Sequence, residues 1–310
     1  MQERKATEKD IELLLKGASA NGIDLDVELL KKDLNKVEQE RFSYFYENLC
    51  NRYCLPQIFF EINFFRTCDA YSVVYQMQNY IYFDDAMYSL LLEFCFVLTY
   101  YNDLRRKETL DTQTERQILN HLISTVHISA ILKHTMGENK ISNKALYNKD
   151  SVQEAADLFN AVLCFACCHE IAHIYLQHIG NNDNLEKELE ADALAFDFFR
   201  YLLSLKDDVG FKLNPSMLYA PLVFFDIFTL VDMVKTFSDE NQKHPSVRVR
   251  RQQILSQISY EEKRSFCTEY MYYLSAINHA QNHYESYHVN IDENLKDIEE
   301  KFHQNFYKNK

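Results

Sequence analysis

The sequence predicts a mostly α-helical fold with one small β-sheet, and three observations carry that expectation. Gly and Pro are scarce, 5 and 4 in 310 residues, which disfavours a sheet-rich fold with many tight turns. Three long apolar segments, Met87 to Tyr101, Leu158 to Cys168 and Met217 to Phe237, have the length of buried helices. Only one stretch, Asp69 to Phe83, has the aromatic and β-branched pattern of paired strands.

Taken in order, residues 8 to 50 read as two or three helices broken near Asn21-Gly22. Asp69 to Tyr75 and Asn79 to Phe83 form a hairpin around a short Gln-Met-Gln segment. Asp84-Asp85 opens a helix through about Tyr101. Residues 111 to 134 are helical, and 135 to 150 are loop. Ser151 with Glu154 makes a capping box, and the helix it opens runs to a stop at Gly180. Asp183 with Glu186 makes a second box and opens a helix through about Leu205. Further helices cover 215 to 238, 245 to 257 and 260 to 305. The expected organisation is an N-terminal helical region over 1–65, a core over 66–258 and a C-terminal helical region over 259–310.

Composition narrows the function classes. A formal charge of −13 leaves no basic face for a phosphate backbone, so no nucleic acid is expected as partner. The same charge argues against an anionic membrane surface. Of the apolar segments, the first carries Glu93, the last carries Asp226 and Asp232, and the middle one is short. All three therefore read as buried helices and not as membrane spans. The start, MQERKATEKD, has no apolar stretch, so no secretion signal is expected and the chain reads as cytoplasmic. The 8 Cys lie mainly in apolar helical runs without paired spacing, as small core residues of a reducing compartment do.

The chemistry concentrates in "CCHEIAHIYLQH", residues 167 to 178. Residues four apart share a helix face, so His169 and His173 point together and can hold one ion between two imidazoles. Glu170 projects about 100° around the helix from His169, beside the ion, where a general base is needed. An accidental match of this pattern arises in roughly 3% of chains with this many histidines, so a buried helix that merely contains histidines is the competing account. Three further features weigh against it. Past Gly180 comes "ELEADALAF", in which Glu188 and Asp192 share a face with Ala191 and Ala195. The small residues let this helix approach the first closely. Glu188 is then the third zinc ligand, and Asp192, one turn on, accepts a hydrogen bond from a ligand histidine and fixes its tautomer. Glu190 points elsewhere and is expected in solvent. Positions 176 and 179 are Leu and Ile, so the third histidine of the metzincin pattern is missing, and His178 reads as a helix-end residue. Finally, "HPSVRVR" places His244 and Arg250 where they could serve as donors to the oxyanion formed in acyl transfer.

The order "HEIAHIYLQH", "ELEADALAF", "HPSVRVR" resembles the phage-exclusion peptidases of the Lit type, and "YIYFDDAMYSLLLEFCFVLTYY" is similar to the segment that precedes the motif there. The resemblance covers about residues 70 to 255. It implies a gluzincin-type zinc metalloprotease core with His169, His173 and Glu188 on Zn2+, Glu170 as base, and His244 with Arg250 facing the oxyanion. It also implies an intracellular protein substrate, with elongation factor Tu as the example in that family, and a phage product as activator. The membrane proteases of the HtpX and CAAX-prenyl group share the motif order more distantly, but carry spanning helices and a longer gap before the glutamate. Two rivals remain. One is a regulatory protease acting on a repressor, similar to the ImmA type. The other is a helical interaction protein with a structural zinc, which would need a fourth protein ligand, usually Cys. Cys168 is adjacent to His169 but points off the zinc face. A β-strand of the hairpin, 71–75 or 79–83, is expected to pair with substrate, and residues 1–65 are a candidate cover for the cleft.

Overall fold

The structure is a computed structural model that describes residues 34–63, 69–131, 144–145, 148–178, 185–205, 211, 213–237 and 247–307. It is mostly α-helical with one three-stranded sheet, as the sequence predicts. Helix α1 (Leu34–Tyr53) leads into strand β1 (Ile58–Asn63), then β2 (Ala70–Tyr75) and β3 (Gln78–Asp84). Helices α2 (Asp85–Arg106) and α3 (Thr112–Val126) follow, the latter continued by a π-helical turn over His127–Ile131. Then come α4 (Val152–Tyr175), α5 (Leu185–Leu203), a 3-10 turn (Pro215–Tyr219), α6 (Ala220–Phe237), α7 (Val247–Gln257) and α8 (Tyr260–Tyr307).

The sheet order is β1-β3-β2. The expected hairpin is β2 with β3, antiparallel, with Tyr71 opposite Tyr82. Its loop is the pair Gln76-Met77, both at positive φ (50° and 61°), the two-residue turn whose twist suits a hairpin. β1 was not expected: it pairs parallel to β3, Ile58 opposite Asn79 and Phe60 opposite Ile81. It lies inside the stretch expected to be N-terminal and helical. Its side chains join the core, where Phe42 of α1 stacks on Phe60 (5.4 Å) and Phe83 (4.9 Å). β3 is therefore the central strand, paired on both sides. Among the described residues β2 pairs on one side only, so of the two strands offered for substrate pairing it is β2 that keeps a free edge.

The helix starts are set by side chains. Asp84 accepts a hydrogen bond from the Ala86 amide (2.9 Å) and opens α2 as expected, although α2 runs on to Arg106. Asp111 caps α3 through the Thr114 amide and hydroxyl (2.8 and 2.9 Å). The capping box expected at Ser151 does not form: Ser151 caps nothing with its side chain. Glu154 is taken instead by Arg106 (2.7 Å) and by the Tyr273 hydroxyl (2.6 Å). A charge-assisted partner from a distant helix outcompetes a local amide. The second box, at Asp183, lies outside the described residues. Helix α4 ends at Tyr175, short of the stop expected at Gly180, which itself lies outside the described residues.

α4 is the central helix. Every residue from Ala161 to Ala172 is buried, which a helix apolar on all faces requires. It packs against α2, α5, α6 and β2. Two helical stretches, Val152–Tyr175 and Pro215–Met233, are long and apolar enough to cross a membrane, but 83% and 67% of their apolar windows are buried in this fold. The neighbouring helices supply the apolar surroundings that such segments need. α8 lays one stripe on the core, with Phe266, Tyr270, Tyr273, Ile277, Ala280 and Tyr284 buried at alternating three- and four-residue spacing.

Candidate metal centre

The last two turns of α4 present His169 and His173 on one face, with their Nε2 atoms 3.0 Å apart. α5 packs along α4, and the buried Ala191 and Ala195 leave room for that approach. Glu188 is thereby brought beneath both imidazoles: its Oε2 lies 3.4 Å from His169 Nε2 and its Oε1 3.3 Å from His173 Nε2. One ligand atom from each of the three lies within 4.8 Å of the others. Two imidazole nitrogens and a carboxylate converging on one point are a donor set that suits zinc, with one position left for water or substrate. Among the described residues the group has no fourth ligand, and the nearby Cys168 is fully buried in the core.

One turn along α5, Asp192 is fully buried, and its Oδ1 sits 3.0 Å from His169 Nδ1. A carboxylate behind the imidazole directs the Nε2 lone pair toward the ion position. Arg250, on α7, forks onto Asp192, with Nε 2.7 Å from Oδ2 and Nη2 2.8 Å from Oδ1. Its Nη1 reaches Glu188 Oε2 at 2.9 Å. The guanidinium lies over the Phe225 ring, 5.3 Å from its centre. The sequence reading turned Arg250 toward an oxyanion. In the structure its guanidinium nitrogens engage the two carboxylates, because a planar fork matches a carboxylate better than any other buried group. His244 lies outside the described residues.

The charge balance follows from these contacts. Burial opposes ionisation of Asp192, but the Arg250 guanidinium and His169 outweigh it and hold the carboxyl below its usual range. Glu188 is likewise held down, against burial, by the two imidazoles and Arg250. Burial disfavours the His169 imidazolium, yet Asp192 and Glu188 raise it to about 10. The pocket thus favours positive charge between the imidazoles, a demand that a divalent cation also meets. Glu170 is buried beside the histidines, and burial pushes its carboxyl up, with His169 and His173 opposing and Asp69 and Glu188 adding to the rise. A carboxyl raised above its usual range is a better proton acceptor.

His178 is a neighbour that the sequence reading did not place here. Gln177 adopts a left-handed conformation (φ 58°), and the His178 amide bonds the His173 carbonyl at 2.9 Å. This reversal brings the His178 ring back to 5.5 Å from the His173 ring. Its Nε2 meets Glu190 at 3.2 Å, so the glutamate expected in solvent is exposed but paired. Helical spacing placed His178 on another face, and only a glycine at 177 would have signalled the turn in the sequence.

A family model described as Peptidase U49 matches residues 99–271. No curated protein and no solved structure matches the chain. The match runs from the second half of α2 into α8 and takes in His169, Glu170, His173, Glu188, Asp192 and Arg250. It spans more than half of the sequence, and the chain accordingly belongs to the Peptidase U49 family.

Proposed function

We propose that this peptidase is a zinc metalloendopeptidase of the Lit type, acting in the cytoplasm on an intracellular protein during phage defence. The observation that carries the reading is the convergence of His169, His173 and Glu188 beside a buried Glu170 in a chain of a peptidase family. Zinc held by those three ligands would supply a Lewis acid that activates water and polarises the scissile carbonyl. The chain's own residues do the rest. Glu170 accepts the proton of the attacking water and later passes it to the leaving amine. Asp192 fixes the His169 tautomer, and Arg250 holds both carboxylates in register. His244 remains the proposed oxyanion donor. Among the described residues β2 pairs on one side only and packs against α4, which supports substrate binding as an added strand.

Among the described residues only three ligands converge, and Glu170 is buried beside them, which together favour the catalytic reading over a structural zinc. Elongation factor Tu is the first substrate to test, and a phage product the first activator. The purified chain should hold one zinc and cut elongation factor Tu to one discrete fragment when phage lysate is added. Glu170→Gln should keep the zinc and lose the cleavage by at least about 100-fold, the size of a lost general base. Wild-type turnover in that variant sinks the base assignment. Cleavage of a different cellular protein keeps the chemistry and discards the target.

A further inference from the structure

Helix α7 carries two arginines in succession, and they are anchored on different partners. Arg250 reaches α5, where it holds Asp192 and Glu188. Arg251 reaches α6 and α8. Its Nε lies 2.6 Å from Asp226 Oδ1 on α6, and its Nη2 donates to the Tyr270 hydroxyl on α8. That hydroxyl donates in turn to Asp226 Oδ2 at 2.7 Å. Asp226 and Tyr270 are both buried. The three side chains thus close a ring that ties α6, α7 and α8 together beside the metal centre.

Two physical points give this ring a task. Successive residues on a helix are about 100° apart in rotation, so fixing the direction of Arg251 fixes the direction of Arg250. α7 is only 11 residues long, and its other described polar tie to α5 is the Gln253 amide donating to the Leu189 carbonyl at 2.8 Å. A buried ion pair is also a poor way to gain stability alone, since apolar residues of the same volume commonly do as well. What an ion pair has and apolar packing lacks is direction. Burial raises the Asp226 carboxyl to about 6 even with Arg251 and Tyr270 lowering it, so the charged partner is kept at a cost.

We propose that Asp226, with Arg251 and Tyr270, is a positioning group that aims Arg250 at Glu188 and Asp192 through the rotation of α7. The role is a property of the fold. Its consequence for catalysis rests on the metallopeptidase reading.

The test is a double-mutant cycle on the stability of the full chain, freed of metal with a chelator. The variants are Asp226→Asn, Asp192→Asn and the two combined, with Tyr270→Phe in place of Asp226→Asn if the latter does not fold. Positioning predicts that Asp192→Asn costs less in the Asp226→Asn background. The unfolding equilibrium constants should then depart from additivity by about fivefold, within the range for groups linked through shared contacts. Additivity within about twofold overturns the proposal. So does coupling of the opposite sign, which is what direct repulsion between two carboxylates produces. Asp111→Ala, at the start of α3, is the control and should be additive with Asp192→Asn. Zinc affinity by competition with a chromophoric chelator is the second readout. Asp226→Asn should weaken it by about tenfold, as outer partners of metal ligands do, while Asp111→Ala leaves it unchanged. Because the cycle uses the metal-free chain, coupling in a protein that takes up no zinc would uphold the positioning role and discard the zinc reading. Zinc binding with an additive cycle would do the reverse.

Discussion

Asp192 and Glu188 divide the labour of one helix face. Both are acidic, both are buried, and both touch His169, but at different nitrogens. Glu188 meets the Nε2 side, where the ion would sit, and Asp192 the Nδ1 side behind it. Glu188→Ala should therefore abolish zinc uptake, whereas Asp192→Ala should weaken it by about 10- to 100-fold. Metal analysis after graded chelator treatment separates the two, and a reversed order would exchange the assignments. At this scale the sequence is highly legible. The i, i+4 spacing fixes which side chains share a face, so spacing alone pairs His169 with His173 and Glu188 with Asp192. Arg250 stands out by its nearness to a motif, but its partners depend on where α7 crosses α5. His178 is the helix-end residue that the sequence reads, but its return toward His173 was not legible, because a left-handed Gln177 is not a sequence signal.

Among the elements, the sheet combines a strong local signal with a non-local one. The β2–β3 hairpin is legible from alternation. Its turn, Gln76-Met77, is a poor sequence for two positive φ values, and a side chain there costs about 1 kcal/mol per residue. Replacing the pair by Asn-Gly should stabilise the chain by about 1 kcal/mol or more, a rise in melting temperature of about 1–3 °C. An unchanged or lower melting temperature would mean that the turn is held by contacts that Gln76 or Met77 make. β1 escaped notice because its partner residues lie about 20 positions away and its run, IFFEIN, is short. A run with four apolar residues in six does not declare itself strand or helix. Glu154 teaches the same lesson for helix starts: its local capping pattern is complete, yet Arg106 and Tyr273 from other helices claim it.

Across the whole molecule, the candidate metal centre and the arginine that holds its carboxylates join three helices that are far apart in sequence: α4, α5 and α7. A ligand that binds only the folded chain stabilises it, by about 2.7 kcal/mol at a concentration one hundred times its dissociation constant. Zinc at that level should raise the melting temperature by about 4 °C over the chelator-treated chain, and His173→Ala should remove the difference. Calorimetry with and without chelator decides it, and a zinc-independent melting temperature in the wild type would count against the site. What the sequence determined by itself was the helical class, the hairpin and the residues able to share an ion, because each depends on periodicity over a few positions. Only the tertiary structure decided that β2, among the described residues, pairs on one side only and packs on α4, that Arg250 holds carboxylates, and that Asp226 and Tyr270 stand behind its neighbour Arg251. Those contacts join residues tens of positions apart, and their geometry is set by how buried helices cross, which no local pattern encodes.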